Sequence, residues 1–206
     1  IFEVAAIGYR SPTFTPITQP GSEYRKILSA LWRQSPVPLA AADEQLSTMA
    51  ALLHVDHLGE PLVGAFIDRS GVPATEWIRR YLRTYLHPIA YLLYRYELKF
   101  SPHGENLILV LEDHVPTGVS IKDIGEEVVV MSDRELPPEV ERIRHVLDPQ
   151  VQSLSVLTDV LDGVLRFVAE ILADDEVLTG EDFWALVAEC IAEHAADHPR
   201  AARLDL

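Results

Sequence analysis

The chain has 206 residues, of which 48% are hydrophobic, and a formal net charge of −15 at pH 7. This length and apolar content suffice for one sizeable domain with a core, or for a large part of a longer protein. The negative charge argues against nucleic acid and anionic membrane surfaces as partners, because both would repel the chain. Any anionic ligand must therefore meet local positive groups or a metal ion.

Cysteine usage and the ends of the chain bear on its setting. The single cysteine, Cys190, excludes a disulfide framework or a multi-cysteine metal site built from this chain. Together with the lack of a long apolar stretch or a leader pattern, it predicts a cytoplasmic protein. A start at Ile1 without methionine, and a segment begun but not completed at 198–206, predict an excision from a longer chain.

The first part of the chain is predicted to be a connection followed by two helices. Three prolines among Ser and Thr make residues 8–20 a surface connection, because proline fits neither a ladder nor a helix interior. Apolar residues recur at helical spacing from Glu23 to Arg33, and again after Pro38 to about His54. The buried stripe of the second helix would be Leu46, Met49, Ala50 and Leu53.

Glycine and proline delimit the next predicted helices. A short helix over 59–67 should stop at Gly71, and a long helix should begin after Pro73. Pro88 lies inside the long helical pattern, where proline removes one hydrogen bond and clashes with the preceding turn. The sequence therefore predicts a kink or break there, with a second helix over 89–98.

The pattern changes after these helices. A continuously apolar run at 107–111, followed by a β-rich stretch at 119–121, predicts a β-hairpin with one well-buried strand. Residues 126–131 are predicted to add a short extended piece. Further helices are predicted at 139–147, 151–173 and 181–196.

The predicted fold class is α+β, dominated by helix, with a small central β-hairpin. No internal repeat or low-complexity tract interrupts the order of elements. The predicted regions are a connection from an upstream domain (1–20), a helical region (21–98), a loop with the hairpin (99–131) and a second helical region (137–206).

A polar loop lies between the last predicted helix of the first half and the buried strand. It contains His103 and Asn106, and a rigid scaffold commonly presents functional groups on such loops. The hairpin would return the chain so that Asp123 lies beside Asn106. An Asn and an Asp together offer the hard oxygen ligands that magnesium on nucleotide phosphates requires, as in protein kinases. The residues predict a Mg–ATP site; the alternative is a helix-cap or turn histidine beside a solvated Asn and Asp.

Residues 101–113, followed by 122–128, resemble the NRPS-independent siderophore synthetases, the IucA/IucC family. Residues 29–33, 71–77 and 87–88 also look like this family, so the resemblance covers most of the chain. It implies that residues 1–206 are the carboxy-terminal palm of a synthetase shaped like a cupped hand, distantly kinase-like. Such enzymes adenylate a carboxylate and pass the acyl group to an amine or hydroxyl, releasing AMP and pyrophosphate.

The resemblance implies roles for individual residues and the cofactors ATP and Mg²⁺. His103 would be a catalytic donor to the nucleotide phosphates, and Asn106 would contact both nucleotide and metal. Asp123 would be catalytic as the second magnesium ligand, with Arg33 near the phosphates. Glu105, Glu126 and Glu127 are further candidates for tuning the metal or the incoming amine, and Lys122 is a further candidate site residue.

Two positions depart from the family pattern: Ser101 replaces a common Glu, and Glu105 replaces a common Gln. The His-Gly-Glu-Asn form with Lys-Asp-Ile most resembles the oligomerising and macrocyclising hydroxamate branch behind desferrioxamine and alcaligin. The expected partners are a small carboxylate and an amine, of hydroxamate or citrate type, and the full-length enzyme is expected to be a homodimer. The family's upstream triphosphate clamp has no counterpart here, so the chain alone is expected to be inactive.

Three other functions fit parts of the sequence. A small-molecule kinase would use a similar loop, although Glu105 stands where such kinases place a catalytic Asp. A non-catalytic acidic helical domain that binds a partner is the second alternative. A ferric-siderophore reductase is the third, and it would need a cysteine cluster that Cys190 alone cannot supply.

The remaining charged residues have two interpretations each. The one concentrated positive patch comprises Arg79, Arg80, Arg83 and Arg95. It is either a solvated helix face or a binding surface for an anionic ligand. A helix-end or surface role is favoured over a metal cluster for His54, His57 and His87.

Overall fold

The computed structural model describes residues 7–8, 31–32, 37–122, 127–152 and 154–197. The chain forms two compact units, Ile1–Ala42 and Asp43–Leu206. In the first unit, β1 (Ile7–Gly8) pairs antiparallel with β2 (Leu31–Trp32), and a 3₁₀ turn follows at Val37–Leu39.

The helix predicted from Glu23 to Arg33 is wrong at its end. The backbones of Leu31 and Trp32 pair with β1, so they are extended. Helical spacing of apolar residues does not exclude a strand when a pairing partner is present elsewhere in the chain. The other residues of that prediction, like most of the predicted connection at 8–20, lie outside the described residues.

The described residues of the second unit form two small antiparallel sheets. Its strands are β3 (Glu44–Thr48), β4 (Leu98–Lys99), β5 (Leu107–Glu112), β6 (Val115–Ile121) and β7 (Val129–Val130). One sheet has the order β3-β5-β6, and the other pairs β4 with β7. The predicted hairpin is confirmed, and β5 buries alternate residues as a half-buried strand does.

The turn of the hairpin has the conformation that favours tight β-hairpins. Asp113 and His114 both have positive φ angles, 47° and 66°. A two-residue turn with both central φ values positive matches the twist of the flanking strands. The indole Nε1 of Trp77 donates to the His114 carbonyl at 2.8 Å, which fixes the hairpin tip against a helix.

The helix predicted from Pro38 to about His54 is wrong over its first half. β3 pairs with β5 from Glu44 opposite Glu112 to Thr48 opposite Ile108. The helical parts of this stretch are the 3₁₀ turn that ends at Leu39 and the 3₁₀ helix Met49–Leu53. Pairing with β3 satisfies the backbone N–H and C=O groups on one edge of β5. These hydrogen bonds between distant segments outweigh the helical spacing of the apolar residues.

Helices cover the sheet and build the core. The α-helices are α1 (Leu62–Ser70), α2 (Ala74–Tyr96), α3 (Pro149–Gln152), α4 (Leu154–Val156), α5 (Arg166–Asp174) and α6 (Gly180–Asp197), and Leu157–Leu165 is π-helical. α1 ends at Gly71, whose φ of 67° closes the helix as the sequence predicts. The predicted α+β class, dominated by helix, is confirmed.

The break predicted at Pro88 is wrong, because α2 continues through this residue. An interior proline costs about 3 kcal/mol. Burying a large apolar side chain stabilises by about 1.5–3 kcal/mol, and Ile89 and Leu93 are both buried just beyond the proline. The helix instead ends at Tyr96, and Glu97, with a φ of 52°, turns the chain into β4.

The last third is helical in most of its predicted places. The helix predicted at 139–147 is wrong beyond the 3₁₀ helix Pro138–Ile143, because His145 N–H donates to the Val130 carbonyl instead. The long helix predicted at 151–173 is found as the consecutive pieces from α3 to α5, and α6 is confirmed. Among the described residues, no helix has the length and apolar character needed to cross a membrane.

Candidate nucleotide site

Residues 101–106, called the motif loop, are held by two elements that lie far away in sequence. The Tyr85 hydroxyl on α2 donates to the Pro102 carbonyl at 2.8 Å. Burial raises the pKa of Tyr85 well above its usual value, so the hydroxyl keeps its proton. From the other side, the Ala50 N–H donates to the Gly104 carbonyl at 2.8 Å. The loop is therefore anchored on both sides of His103.

Gly104 has no room for a side chain. A Cβ there would lie 3.0 Å from the Cα and the N of Ala50 and 3.1 Å from its Cβ. Backbone atoms cannot give way as the end of a flexible side chain can. The close approach of the loop to Ala50 therefore explains the glycine of the motif.

Asn106 lies at the start of β5 and is only 4% exposed. Its N–H donates to the His103 carbonyl at 3.1 Å, which closes the loop. Its carbonyl accepts from the Lys122 N–H at 2.9 Å, because the hairpin returns the chain to this point. Lys122 is thus beside Asn106, and Asp123 is the next residue in the sequence.

The side chains of His103, Asn106 and Glu127 form one polar cluster. The Asn106 Nδ2 donates to Glu127 Oε2 at 2.6 Å and to the Ser101 carbonyl at 3.1 Å. The His103 Nε2 lies 3.4 Å from the same Glu127 oxygen and 3.1 Å from Asn106 Nδ2. Since the His103 and Glu127 side chains are 39% and 42% exposed, a ligand can reach the cluster.

The other ring nitrogen of His103 indicates which tautomer is present. The Glu105 N–H donates to His103 Nδ1 at 3.4 Å, so Nδ1 is an acceptor. This contact favours the neutral tautomer with its proton on Nε2, which then donates to Glu127 Oε2 and lies beside Asn106 Nδ2 with no hydrogen bond between the two nitrogens. The N–H groups of His103 and Asn106 converge on one carboxylate oxygen, the arrangement that an anionic ligand such as phosphate requires.

The structure brings together only some of the predicted site residues. His103 and Asn106 are in contact, Lys122 joins them through its backbone, and Glu105 is exposed on the loop. Arg33, Asp123 and Glu126 lie outside the described residues. Among the acidic candidates, Glu127 is the one seen to contact both His103 and Asn106.

Two residues that position the loop have no sequence signal. Tyr85 belongs to the same helical stripe as Tyr81, and nothing in the pattern distinguishes their hydroxyls. The predicted helix after Pro38 has Ala50 in its interior, where the backbone N–H bonds within the helix and is not available to the loop. Only the three-dimensional arrangement identifies Tyr85 and Ala50 as supports of the motif loop.

The arginine patch is a solvated, paired helix face. Arg79 and Arg83 on α2 contact carboxylates on α6 at 3.1 and 2.9 Å, and Arg80 contacts Glu76 at 2.8 Å. The Arg95 guanidinium lies 5.5 Å from the ring centroid of Tyr96. Because their charges are already paired with acidic groups, Arg79, Arg80 and Arg83 are poorly suited to receive an anionic ligand.

Two other histidines lie at an exposed turn, and the cysteine is buried. Asp56 Oδ1 accepts from the N–H groups of Leu58 and Glu60, so His54 and His57 flank a closed turn. Burial raises the pKa of the Cys190 thiol to about 11, which makes it a poor thiolate. No group of three or more His, Cys, Asp or Glu residues arranged to hold a metal occurs among the described residues.

Among the described residues of the motif loop, Asn106 can supply a ligand to magnesium. Because both amide hydrogens of Asn106 face acceptors, its Oδ1 points away from Ser101 and Glu127. In the part of the chain that the structure describes, Oδ1 accepts no hydrogen bond. An uncommitted carbonyl oxygen of this kind is a suitable ligand for a hard cation.

Known proteins match this chain along nearly its whole length. A family profile described as ferric iron reductase FhuF-like transporter matches residues 75–206. Putrebactin synthase from Shewanella sp. (strain MR-4) is 44% identical over 201 residues, which are 97% of this chain and 32% of that protein. Aerobactin synthase from Escherichia coli is 28% identical over 95% of this chain and 34% of that protein.

Solved structures share the fold. Aerobactin synthetase IucC from a hypervirulent pathotype of Klebsiella pneumoniae matches with a TM-score of 0.78 and 30% identity, covering 84% of this chain and 32% of that chain. ATP-bound aerobactin synthetase IucA from the same source matches with a TM-score of 0.61 and 19% identity, over 75% and 30% of the two chains. The second match shows a likeness of fold.

The fold and the matches define an FhuF-like domain. The chain belongs to the FhuF-like family, in the form that makes up the carboxy-terminal part of NRPS-independent siderophore synthetases. It spans about a third of the length of the curated relatives. The family description names a ferric iron reductase, but Cys190 alone cannot provide the cysteine ligands of an iron–sulfur cluster.

Proposed function

We propose that this chain is the ATP-binding palm of a siderophore synthetase, which adenylates a carboxylate and joins the acyl group to an amine or hydroxyl. One observation carries the proposal: the side chains of His103 and Asn106 meet at 3.1 Å on an anchored loop, with N–H donors converging on a single oxygen. The 44% identity to putrebactin synthase supports the reaction class.

The chemistry of adenylation explains why such residues are needed. Attack by a carboxylate on the α-phosphorus adds negative charge to the phosphate oxygens and to the departing pyrophosphate. His103 donates a hydrogen bond from Nε2 to a phosphate oxygen, and Asn106 and Asp123 would hold Mg²⁺. The bound metal would offset the phosphate charge. The candidates Lys122 and Glu126 complete the part of the proposed half-site that follows the hairpin.

The substrates proposed are a small carboxylate and an amine, of the hydroxamate type indicated by the motif. The net charge of −15 disfavours nucleic acid and anionic membranes as partners. We further propose that the full-length enzyme is a cytoplasmic homodimer. Because the remaining nucleotide contacts are expected from upstream of Ile1, the chain alone should not complete the reaction.

The test uses the full-length protein and measures pyrophosphate and AMP release. The substrate panel contains citrate, succinyl-hydroxycadaverine-like and putrescine-derived compounds. His103→Ala and Asp123→Ala should each abolish most of the release, whereas His57→Ala, at an exposed histidine in a surface turn, should leave it unchanged.

Three results would contradict the proposal. A flat response to every substrate would exclude a synthetase that uses these compounds. Release of ADP in place of AMP would indicate a kinase. ATP turnover that persists unchanged in the His103→Ala and Asp123→Ala variants would indicate a non-catalytic domain.

A further inference from the structure

Glu127 makes the shortest side-chain contact in the polar cluster, 2.6 Å from its Oε2 to the Asn106 Nδ2. We propose that Glu127 is the positioning residue of the metal site: it fixes the amide of Asn106 so that Oδ1 faces the cation. The inference rests on the proposed function, because it takes Asn106 to be a magnesium ligand. Glu127 itself would act through Asn106 and not on the substrate.

The first reason is the number of hydrogen-bond acceptors around the amide. An Asn amide has two N–H donors and one carbonyl acceptor. The two acceptors that Nδ2 faces, the Ser101 carbonyl and Glu127 Oε2, come from different parts of the chain. Both donors are thereby used, and the carbonyl end of the amide must point elsewhere.

The second reason is the energetic penalty for turning the amide around. A flipped amide would place Oδ1 against the Ser101 carbonyl and the Glu127 carboxylate. These two oxygen–oxygen contacts outweigh the one hydrogen bond that Oδ1 could then accept from His103 Nε2. Asn106 is only 4% exposed, so water cannot readily replace the lost partners. Without Glu127, the Ser101 carbonyl alone would oppose a flip in which Oδ1 accepts from His103 Nε2.

The third reason is that the contact with Asn106 is separable from that with His103. His103 Nε2 is 3.4 Å from Glu127 Oε2, a much longer distance than that to Asn106 Nδ2. When a phosphate oxygen accepts the hydrogen bond from His103 Nε2, Glu127 loses the weaker contact and keeps the stronger one. The orientation of Asn106 is therefore maintained when nucleotide is bound.

A direct ligand role for Glu127 predicts a different pattern of mutant effects. In Glu127→Gln, a side-chain carbonyl can still accept from Asn106 Nδ2, but the negative charge is lost. In Glu127→Ala, both the acceptor and the charge are lost. A positioning residue is rescued by glutamine, whereas a charged metal ligand is not.

The experiment measures Mn²⁺ binding to the full-length enzyme with a non-hydrolysable ATP analogue, using the EPR signal of free Mn²⁺. Glu127→Ala should weaken binding about tenfold, the usual loss when the residue supporting a metal ligand is removed. Glu127→Gln should stay within about threefold of wild type. Glu135→Ala, which removes an exposed carboxylate nearby in the sequence, should have no effect.

The Asn106→Ala variant tests whether Glu127 acts through Asn106. In Asn106→Ala enzyme, adding Glu127→Ala should change Mn²⁺ binding no further, because residues that act through one another are not additive. In turnover, Glu127→Ala should raise the Mg²⁺ concentration for half-maximal pyrophosphate release, with kcat largely recovered at saturating Mg²⁺. Circular dichroism melts confirm that each variant is folded.

Specific results would overturn the inference. These are wild-type Mn²⁺ binding in Glu127→Ala, equal losses in Glu127→Gln and Glu127→Ala, or a further loss in the Asn106→Ala background. Failure of the proposed function gives a different result, because wild-type enzyme would then release no pyrophosphate with any substrate.

Discussion

The buried face of α2 and its solvent-facing side make contacts of different kinds. On the buried face, the rings of Tyr81 and Tyr85 lie 5.7 Å apart, and the Tyr85 hydroxyl reaches the motif loop. On the other side, Arg79 and Arg83 pair with carboxylates on α6 in contact with solvent. Buried hydrogen bonds are strengthened by the low local dielectric, whereas exposed ion pairs are screened. The geometry of the site should therefore depend on the buried face far more than on the charged one.

The largest effect is expected from Gly104→Ala, which disturbs the buried anchorage. The new Cβ would lie 3.0 Å from the Ala50 backbone, so the loop must shift, and overpacking of this kind costs about 1–3 kcal/mol. Because the loop carries His103 and Asn106, its shift should reduce pyrophosphate release by up to about 100-fold, the loss that a misplacement of about 1 Å causes. Denaturant unfolding and turnover of the full-length protein measure the two effects.

A matched glycine in the hairpin provides the control. At Gly118, a Cβ would meet only the Val110 side chain, at 3.6 and 3.8 Å, which is ordinary contact. Gly118→Ala should therefore retain both stability and turnover. Equal losses in the two variants would show that the close approach to Ala50 is not what makes Gly104 necessary.

A smaller effect is expected from Tyr85→Phe, which removes one buried hydrogen bond. The Pro102 carbonyl would lose its donor, at a cost of about 1–3 kcal/mol. The matched variant is Tyr81→Phe, since the Tyr81 hydroxyl is buried without a hydrogen-bond partner among the described residues. Its stability should be unchanged or higher. If the two variants melt alike, the Tyr85 hydroxyl does not hold the loop.

The smallest effect is expected on the charged side, from a double-mutant cycle of Arg83→Ala and Glu193→Ala. The hydrogen bond from Arg83 lowers the pKa of Glu193 in the folded state. Its contribution to stability is therefore present above the unfolded pKa of Glu, about 4.3, and is lost as pH falls through the lower folded value. Thermal melts across this acid range, at low and high salt, should show a weak, screened coupling. A coupling energy that persists at high salt would show that the charged side of α2 contributes more to stability than exposed ion pairs do.

The sequence predicts an element correctly when the residues that determine it lie within the element itself. The hairpin and α6 carry their own apolar periodicity, and both were predicted correctly. β3 was mistaken for a helix because its pairing partner, β5, lies far along the chain and leaves no local signal in Glu44–Thr48. At Pro88, a strong local rule was outweighed by the burial of α2 on both sides of the proline.

The same distinction applies to the candidate site. His103 and Asn106 form a contiguous motif, so the sequence could indicate them. The role of Glu127 depends on one hydrogen bond across a turn of the chain, and that of Tyr85 on a single hydroxyl in an aromatic stripe. Such contacts are set by packing, and composition does not distinguish them from a surface glutamate or an ordinary core tyrosine.

The position of β3 also bears on where this domain can be cut for expression. The matched family profile begins at residue 75, but β3 and Ala50 precede it. A fragment starting at residue 75 would leave β5 as a bare, apolar edge strand, which is a template for aggregation. It would also remove the N–H that holds Gly104. A boundary at Asp43, where the second compact unit begins, keeps the sheet edge covered and the motif loop supported.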